Sequence, residues 1–173
     1  MNITKTNNTV DNVSVSPISR HRLLFICLGN ICRSPAAEGV MKSLVENARL
    51  NDDFFIDSAG IGDWHVGQLP DSRMRDCGLR RGYHFNSRAR QLRQSDFNDF
   101  DLLLVMDRDN YRIVTSKAPD EVSRGKVRML TDYLTEHSGV DVVPDPYYGD
   151  MTDFNYALDL IEDACRGLLN VLR

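Results

Sequence analysis

Two hydrophobic patterns alternate along this chain. Leu23-Leu24-Phe25-Ile26 is an unbroken apolar run that ends at Cys27. Such a run marks a strand covered on both faces, and it predicts a first strand over 22–27, central in a parallel sheet. Apolar residues then recur as Ala36/Ala37, Val40/Met41, Leu44/Val45 and Ala48. That spacing is a helix with one buried face. Ser34 suits its N-cap, and Pro35 suits its first helical position.

The alternation continues. Residues 53–58 read as a second strand, and 59–70 as a loop with three glycines, a proline and the pair Trp64-His65. Asp71 is an N-cap candidate for a helix reaching about Arg81, which Gly82 closes. Residues 87–99 are polar, with a short helical turn near Ser95-Asp96. Leu102 to Met106 is a third strand. Arg108 to Ser116 is a helix that Pro119 keeps from continuing, with Asp107 as its N-cap. Lys126 to Leu130 is a fourth strand, and 141–150 a loop holding Pro144-Asp145-Pro146. The last helix spans 153–172, with apolar positions from Phe154 through Ile161 to Leu172.

Strands alternating with helices predict an α/β domain, a four-stranded parallel sheet with helices on both faces. Ligands of such sheets bind at the carboxyl ends of the strands. Cys27, Ser58 and Asp107 all fall there.

The chain has 173 residues, 42% of them hydrophobic, which suits one domain with an ordinary core. Residues 1–19 carry too little apolar mass to order themselves, so a flexible extension is expected before a domain at 20–173. They also lack the apolar core of a signal peptide, and no apolar run nears the roughly 20 residues that cross a bilayer. A cytoplasmic protein without membrane attachment is expected. The net charge of −4 argues against a general grip on nucleic acid. Cys27, Cys32, Cys77 and Cys165 are expected as free thiols, with no Cys/His spacing for zinc.

The loop between the first strand and first helix suggests chemistry. A strand–loop–helix turn aims backbone N–H groups inward, and the helix N-terminus behind it favours an anion. Cys27 lies at the strand exit as a nucleophile whose thiolate the N–H groups, the helix and Arg33 favour. The planar fork of Arg33 matches two oxygens of a phosphoryl group. Leu28, Gly29, Asn30, Ile31 and Cys32 form the loop between them. Gly29 permits a turn that a side chain would obstruct, and Asn30 tolerates a left-handed backbone. In-line displacement at phosphorus also needs a proton donor and later a base. Asp145, held between two prolines, is the candidate, and Tyr147 and Tyr148 can wall the pocket and stack on an aromatic substrate. Trp64 fits either a cleft wall or the core.

Cys27-Leu-Gly-Asn-Ile-Cys-Arg33-Ser34-Pro35 together with Asp145-Pro-Tyr-Tyr-Gly149 resembles the low-molecular-weight protein tyrosine phosphatase family. Asp57-Ser-Ala-Gly60 and Met106-Asp107 match it too, and the resemblance covers about 22–172. It implies hydrolysis of phosphotyrosine in proteins, and of small aryl phosphates, through a cysteinyl-phosphate on Cys27. No metal or other cofactor is implied. By position Arg33 is the phosphate clamp and Asp145 the general acid and base. Asn30 and Ser58 hold the loop, Ser34 stabilises the leaving thiolate, and Trp64 lines the cleft. Cys32 stands where the family has a cysteine able to form a reversible disulfide with the nucleophile. Ser87 departs from the histidine of several relatives, so any bond from that histidine must be replaced. The expected assembly is a monomer or weak homodimer.

Two rival readings stand beside this one. An arsenate reductase on a similar loop needs a relay of further cysteines, and Cys77 has no companion nearby. A non-catalytic phosphoprotein-binding module would be marked by loss of Cys27 or Asp145, and both are present.

Overall fold

The computed structural model describes residues 20–173. The flexible extension expected at 1–19 lies outside the described residues.

The elements run β1 (His21–Cys27), α1 (Arg33–Asn47), β2 (Phe54–Gly60), α2 (Ser72–Arg80), α3 (Asp96–Asp99), β3 (Leu102–Val105), α4 (Arg108–Lys117), α5 (Glu121–Gly125), β4 (Val127–Met129) and α6 (Met151–Leu172). The four strands form one sheet in the order β2-β1-β3-β4, every pair parallel. β1 therefore has a neighbour on each side, as its unbroken apolar run implied.

Strand alternation sorts the core into two layers. Leu23, Phe25 and Cys27 of β1 and Leu104 of β3 join a cluster with α1, α2 and α6. Leu24 and Ile26 of β1, with Leu103 and Val105 of β3, face Phe97, Phe100 and Val114 around α3 and α4. All seven of these apolar strand residues besides Cys27 are fully buried, each worth about 1.5–3 kcal/mol of transfer free energy. Helices thus cover both faces, and the strand ends line up on one edge.

Several boundaries move for local reasons. α6 starts at Met151 rather than 153, because the Asp150 carboxylate caps Thr152 and Asp153 while Asp153 answers the Asp150 N–H. β2 runs on to Gly60, which pairs with Cys27 and bridges to Gln91. α5 has no counterpart in the sequence pattern, because five residues capped by Asp120 are too few to show a period. α1 begins at Arg33, with Cys32 at the cap position and no side-chain cap, so Ser34 is not the N-cap. Its hydroxyl is engaged elsewhere.

Segment 83–90 is fixed by Phe85, which wedges between α1 and α2. A Cβ on Gly39 or Gly78 would fall 2.4 or 2.3 Å from its ring. This wedge delivers Arg90 to the loop after β1.

Candidate active site

The loop from Cys27 to Arg33 is held from outside by its carbonyl groups. Cys27 O accepts from Ile61 N at 3.0 Å, Leu28 O from Gly62 N at 2.9 Å and Ile31 O from Asp71 N at 2.7 Å. The N–H groups of Gly29 through Cys32 find no protein acceptor among the described residues. They remain available to an anion. Asn30 adopts φ 58°, the left-handed conformation that makes the loop this tight. Gly29 plays a different part from a flexible turn. A Cβ there would stand 3.1 Å from the His65 ring, so the glycine lets the 61–70 loop close on it.

Asn30 braces the loop from inside. The Arg90 N–H can only donate, so the Asn30 atom 3.0 Å away is the amide oxygen. Its NH2 then donates to Ser34 Oγ at 2.8 Å and to Ser58 Oγ at 2.9 Å. Each serine proton must go elsewhere. That of Ser58 goes to the Glu38 carboxylate at 2.6 Å. Ser34 Oγ is 3.0 Å from Cys27 Sγ and 3.4 Å from Ala59 O, so the sulfur is its nearer acceptor. Arg90 is clamped in turn by both oxygens of buried Asp96, at 3.0 and 3.1 Å, and by Asp57.

Arg33 is 2% exposed. Its Nη1 donates to Asp107 Oδ2 at 2.6 Å and to Val143 O at 3.0 Å, and its Nη2 lies 3.5 Å from Asp145 Oδ2. Burial works against the cation, but Cys27, Asp107 and Asp145 more than offset it and raise its pKa. Asp107 is the N-cap expected, accepting from Asn110 N, and also the anchor of Arg33, which was not expected. Asp145 accepts from the Tyr147 N–H at 3.1 Å, which fixes its carboxylate over the loop.

These parts enclose a cavity of about 290 Å³ lined by Cys27, Arg33, Asp145 and the aromatic rings of Trp64, Tyr147 and Tyr148. Leu28, Gly29, Ile31 and Cys32 complete its floor, and His65 joins its wall. Trp64 is 64% exposed, which decides for the cleft over the core. Tyr147 and Tyr148 meet edge to face, ring centres 4.9 Å apart, and the Arg73 guanidinium sits 5.6 Å from the Tyr147 ring. Burial, aided by Asp71, raises the Cys32 thiol pKa far above its ordinary value, so Cys32 is a neutral thiol. All four cysteines are unpaired and buried. Among the described residues no three His, Cys, Asp or Glu side chains are arranged to hold a metal ion.

Every sequence-predicted site residue therefore reaches the cavity or its bracing. Glu38 and the second task of Asp107 went unseen, and His65, which reads in sequence as a solvated loop residue, instead packs on Gly29 in the cavity wall. The signal for Glu38 was a lone acid amid Pro35-Ala36-Ala37 and Gly39-Val40-Met41, with Lys42 four residues on.

The model of the family described as low molecular weight phosphotyrosine protein phosphatase matches residues 22–173. The chain belongs to that family. A low molecular weight protein-tyrosine-phosphatase of Streptomyces coelicolor is 42% identical, covering 88% of this chain and 94% of its own. The corresponding phosphatase of Sus scrofa is 38% identical over 87% of this chain and 95% of its own. A protein tyrosine phosphatase of Entamoeba histolytica, solved with Hepes in its active site, superposes with a TM-score of 0.85. It is 45% identical and covers 88% of this chain and 96% of its own. The family's fold and the fold observed agree from the first strand to the last helix.

Proposed function

We propose that residues 20–173 form one phosphatase domain that hydrolyses phosphotyrosine in proteins, and small aryl phosphates, in two steps. The observation that carries this reading is the convergence of Cys27 Sγ, Arg33 and Asp145 on one cavity floored by free N–H groups. The dianionic phosphoryl group sits on the free loop N–H groups and the Arg33 fork. Cys27 attacks phosphorus in line; the phosphorus–oxygen bond to tyrosine breaks as protonated Asp145 gives its proton to the departing phenolate. Asp145, now a carboxylate, takes a proton from water that attacks the cysteinyl-phosphate. Sγ leaves as a thiolate, which the Ser34 hydroxyl stabilises. Every group in these steps is supplied by the chain or by water.

The rings of Trp64, Tyr147 and Tyr148 favour an aryl ester, and the exposed cleft mouth leaves room for a polypeptide. Cys77 and Cys165 are buried on α2 and α6 and neither lines the cavity at Cys27, which weighs against an arsenate reductase relay. The four unpaired cysteines fit a reducing, cytoplasmic compartment. No helix among the described residues is long and apolar enough to cross a membrane. The working form in this reading is a monomer or weak homodimer.

The deciding experiment is p-nitrophenyl phosphate turnover with and without vanadate, in the native chain and in Cys27→Ser. Vanadate-sensitive turnover that disappears in Cys27→Ser, while vanadate still binds, is expected. Near-normal turnover in Cys27→Ser refutes the mechanism.

A further inference from the structure

A second cavity, of about 230 Å³, opens between α1 and segment 82–87. It shares no residue with the first. Glu38 lies in its wall, with Gly39, Lys42, Glu46, Phe85 and Ser87 around it. Glu38 is 4% exposed, yet it carries a carboxylate whose partners leave room for more. Oε1 accepts from Ser58 at 2.6 Å and Oε2 from Lys42 Nζ at 2.6 Å. A carboxylate has about four acceptor positions, so each oxygen keeps one.

Lys42 is a loosely held counter-ion. Its side chain is 53% exposed, on a flexible stem that swings into water at little cost. The buried carboxylate cannot do likewise, and alone it would be strongly penalised. The lining holds the carboxylates of Glu38 and Glu46 against the Lys42 ammonium, with the His84 imidazole beside them and Phe85, Pro35 and Gly39 as apolar wall. Such a cavity suits a positive head on a compact apolar body.

The cavity also has a route to the nucleophile. Ser58 passes its proton to Glu38 and so offers its oxygen to Asn30, whose NH2 also holds Ser34 beside Cys27. Without a cation beside it, the buried Glu38 carboxylate at the far end of this relay has no charged partner. A cation at Glu38 keeps the order of donors.

We propose that this cavity binds a small organic cation, an amidinium, guanidinium or primary ammonium on a compact apolar body, which pairs with Glu38 and supports the Cys27 loop. The binding half stands on its own, and the coupling half rests on the reading of Cys27 as nucleophile.

Benzamidinium is a suitable probe, with neutral benzamide as control. Calorimetric titration into the full chain, its first cavity saturated with phosphate, should show one saturable site for benzamidinium and none for benzamide. Affinity should fall about tenfold or more in Glu38→Gln. Ser87→Trp puts bulk into the cavity at a residue hydrogen-bonded to none of Glu38, Ser58 and Asn30, so it should abolish binding and guards against misfolding of Glu38→Gln. Lys42→Met removes the built-in cation, so its aryl phosphate turnover should be several-fold slower and recover as benzamidinium saturates. No saturable binding, displacement by phosphate, or equal binding to Ser87→Trp overturns the site. Saturable binding to Lys42→Met without recovery overturns the coupling. If Cys27 were not the nucleophile, turnover would persist in Cys27→Ser while the calorimetric result stood unchanged.

Discussion

Asp107 holds the buried Arg33 guanidinium at 2.6 Å with one carboxylate oxygen while the other caps α4 through the Asn110 N–H at 2.8 Å. One side chain thus ties the end of β3 to the loop after β1. Asn at this position can still cap but carries no charge. Asp107→Asn should lower kcat/KM for an aryl phosphate about tenfold, because Arg33 loses a charged partner and its aim. Asp107→Ala should add about 1 kcal/mol of lost cap to that defect. Steady-state kinetics beside urea unfolding of the two variants separates the tasks. Equal kinetics in native and Asp107→Asn chains would deny the anchoring role.

Asp145 should betray its role through the leaving group. Asp145→Asn keeps the acceptor for the Tyr147 N–H but has no proton to give. Loss of a general acid costs about 10²–10⁴ in rate for a phenol that leaves poorly, and much less for p-nitrophenolate. A series of substituted phenyl phosphates measures this as a steeper dependence of kcat/KM on leaving-group pKa. Parallel lines for variant and native enzyme would assign the proton to another group.

How far these residues could be read beforehand follows from the range of the interactions involved. The strands and long helices were legible because their periods repeat within a few residues. The loop after β1 was legible because Cys27, Arg33, Ser34 and Pro35 are close in sequence. Ser34 reads as a cap in the sequence because its hydroxyl has two possible uses. Only Asn30 and Cys27, brought beside it by the fold, decide between them. Asp107 and Arg33 lie 74 residues apart, and nothing local to either reports the other. α5 and the bridge from Gly60 to Gln91 were too short to carry a pattern.

Cys32 and Cys27 share a loop but should differ in reactivity. Burial and the nearby Asp71 keep Cys32 a neutral thiol, and a neutral thiol does not attack an alkylating agent. At neutral pH, iodoacetate should therefore modify one loop cysteine in the native chain. Modification should vanish in Cys27→Ser and proceed at nearly the native rate in Cys32→Ser. Peptide mapping by mass spectrometry identifies the alkylated position. Label on Cys32 of the folded native chain would contradict this assignment. A peroxide-formed disulfide between the two would likewise have to begin at Cys27, with Cys32 attacking the oxidised sulfur after losing its proton to the medium.

Asp163 links stability to pH. It is fully buried on α6. Its oxygens accept from the Thr135 hydroxyl at 2.7 Å and the Thr135 N–H at 3.0 Å, from the Glu136 and His137 N–H groups, and from His137 Nδ1 at 2.8 Å. Burial alone would raise its pKa, but these donors win and hold it well below the usual carboxylate range. A depressed folded pKa adds stability that is full above the unfolded value, near 4, and is lost as pH falls below it. Asp163→Asn leaves donors facing an amide NH2 and should cost about 2–4 kcal/mol at neutral pH. Urea unfolding of both chains at neutral pH and near pH 3.5 tests the sign, since the gap between them should narrow on acidification. A gap that stays constant or widens would mean that Asp163 is not ionised in the folded chain, and that its donors bind a neutral acid.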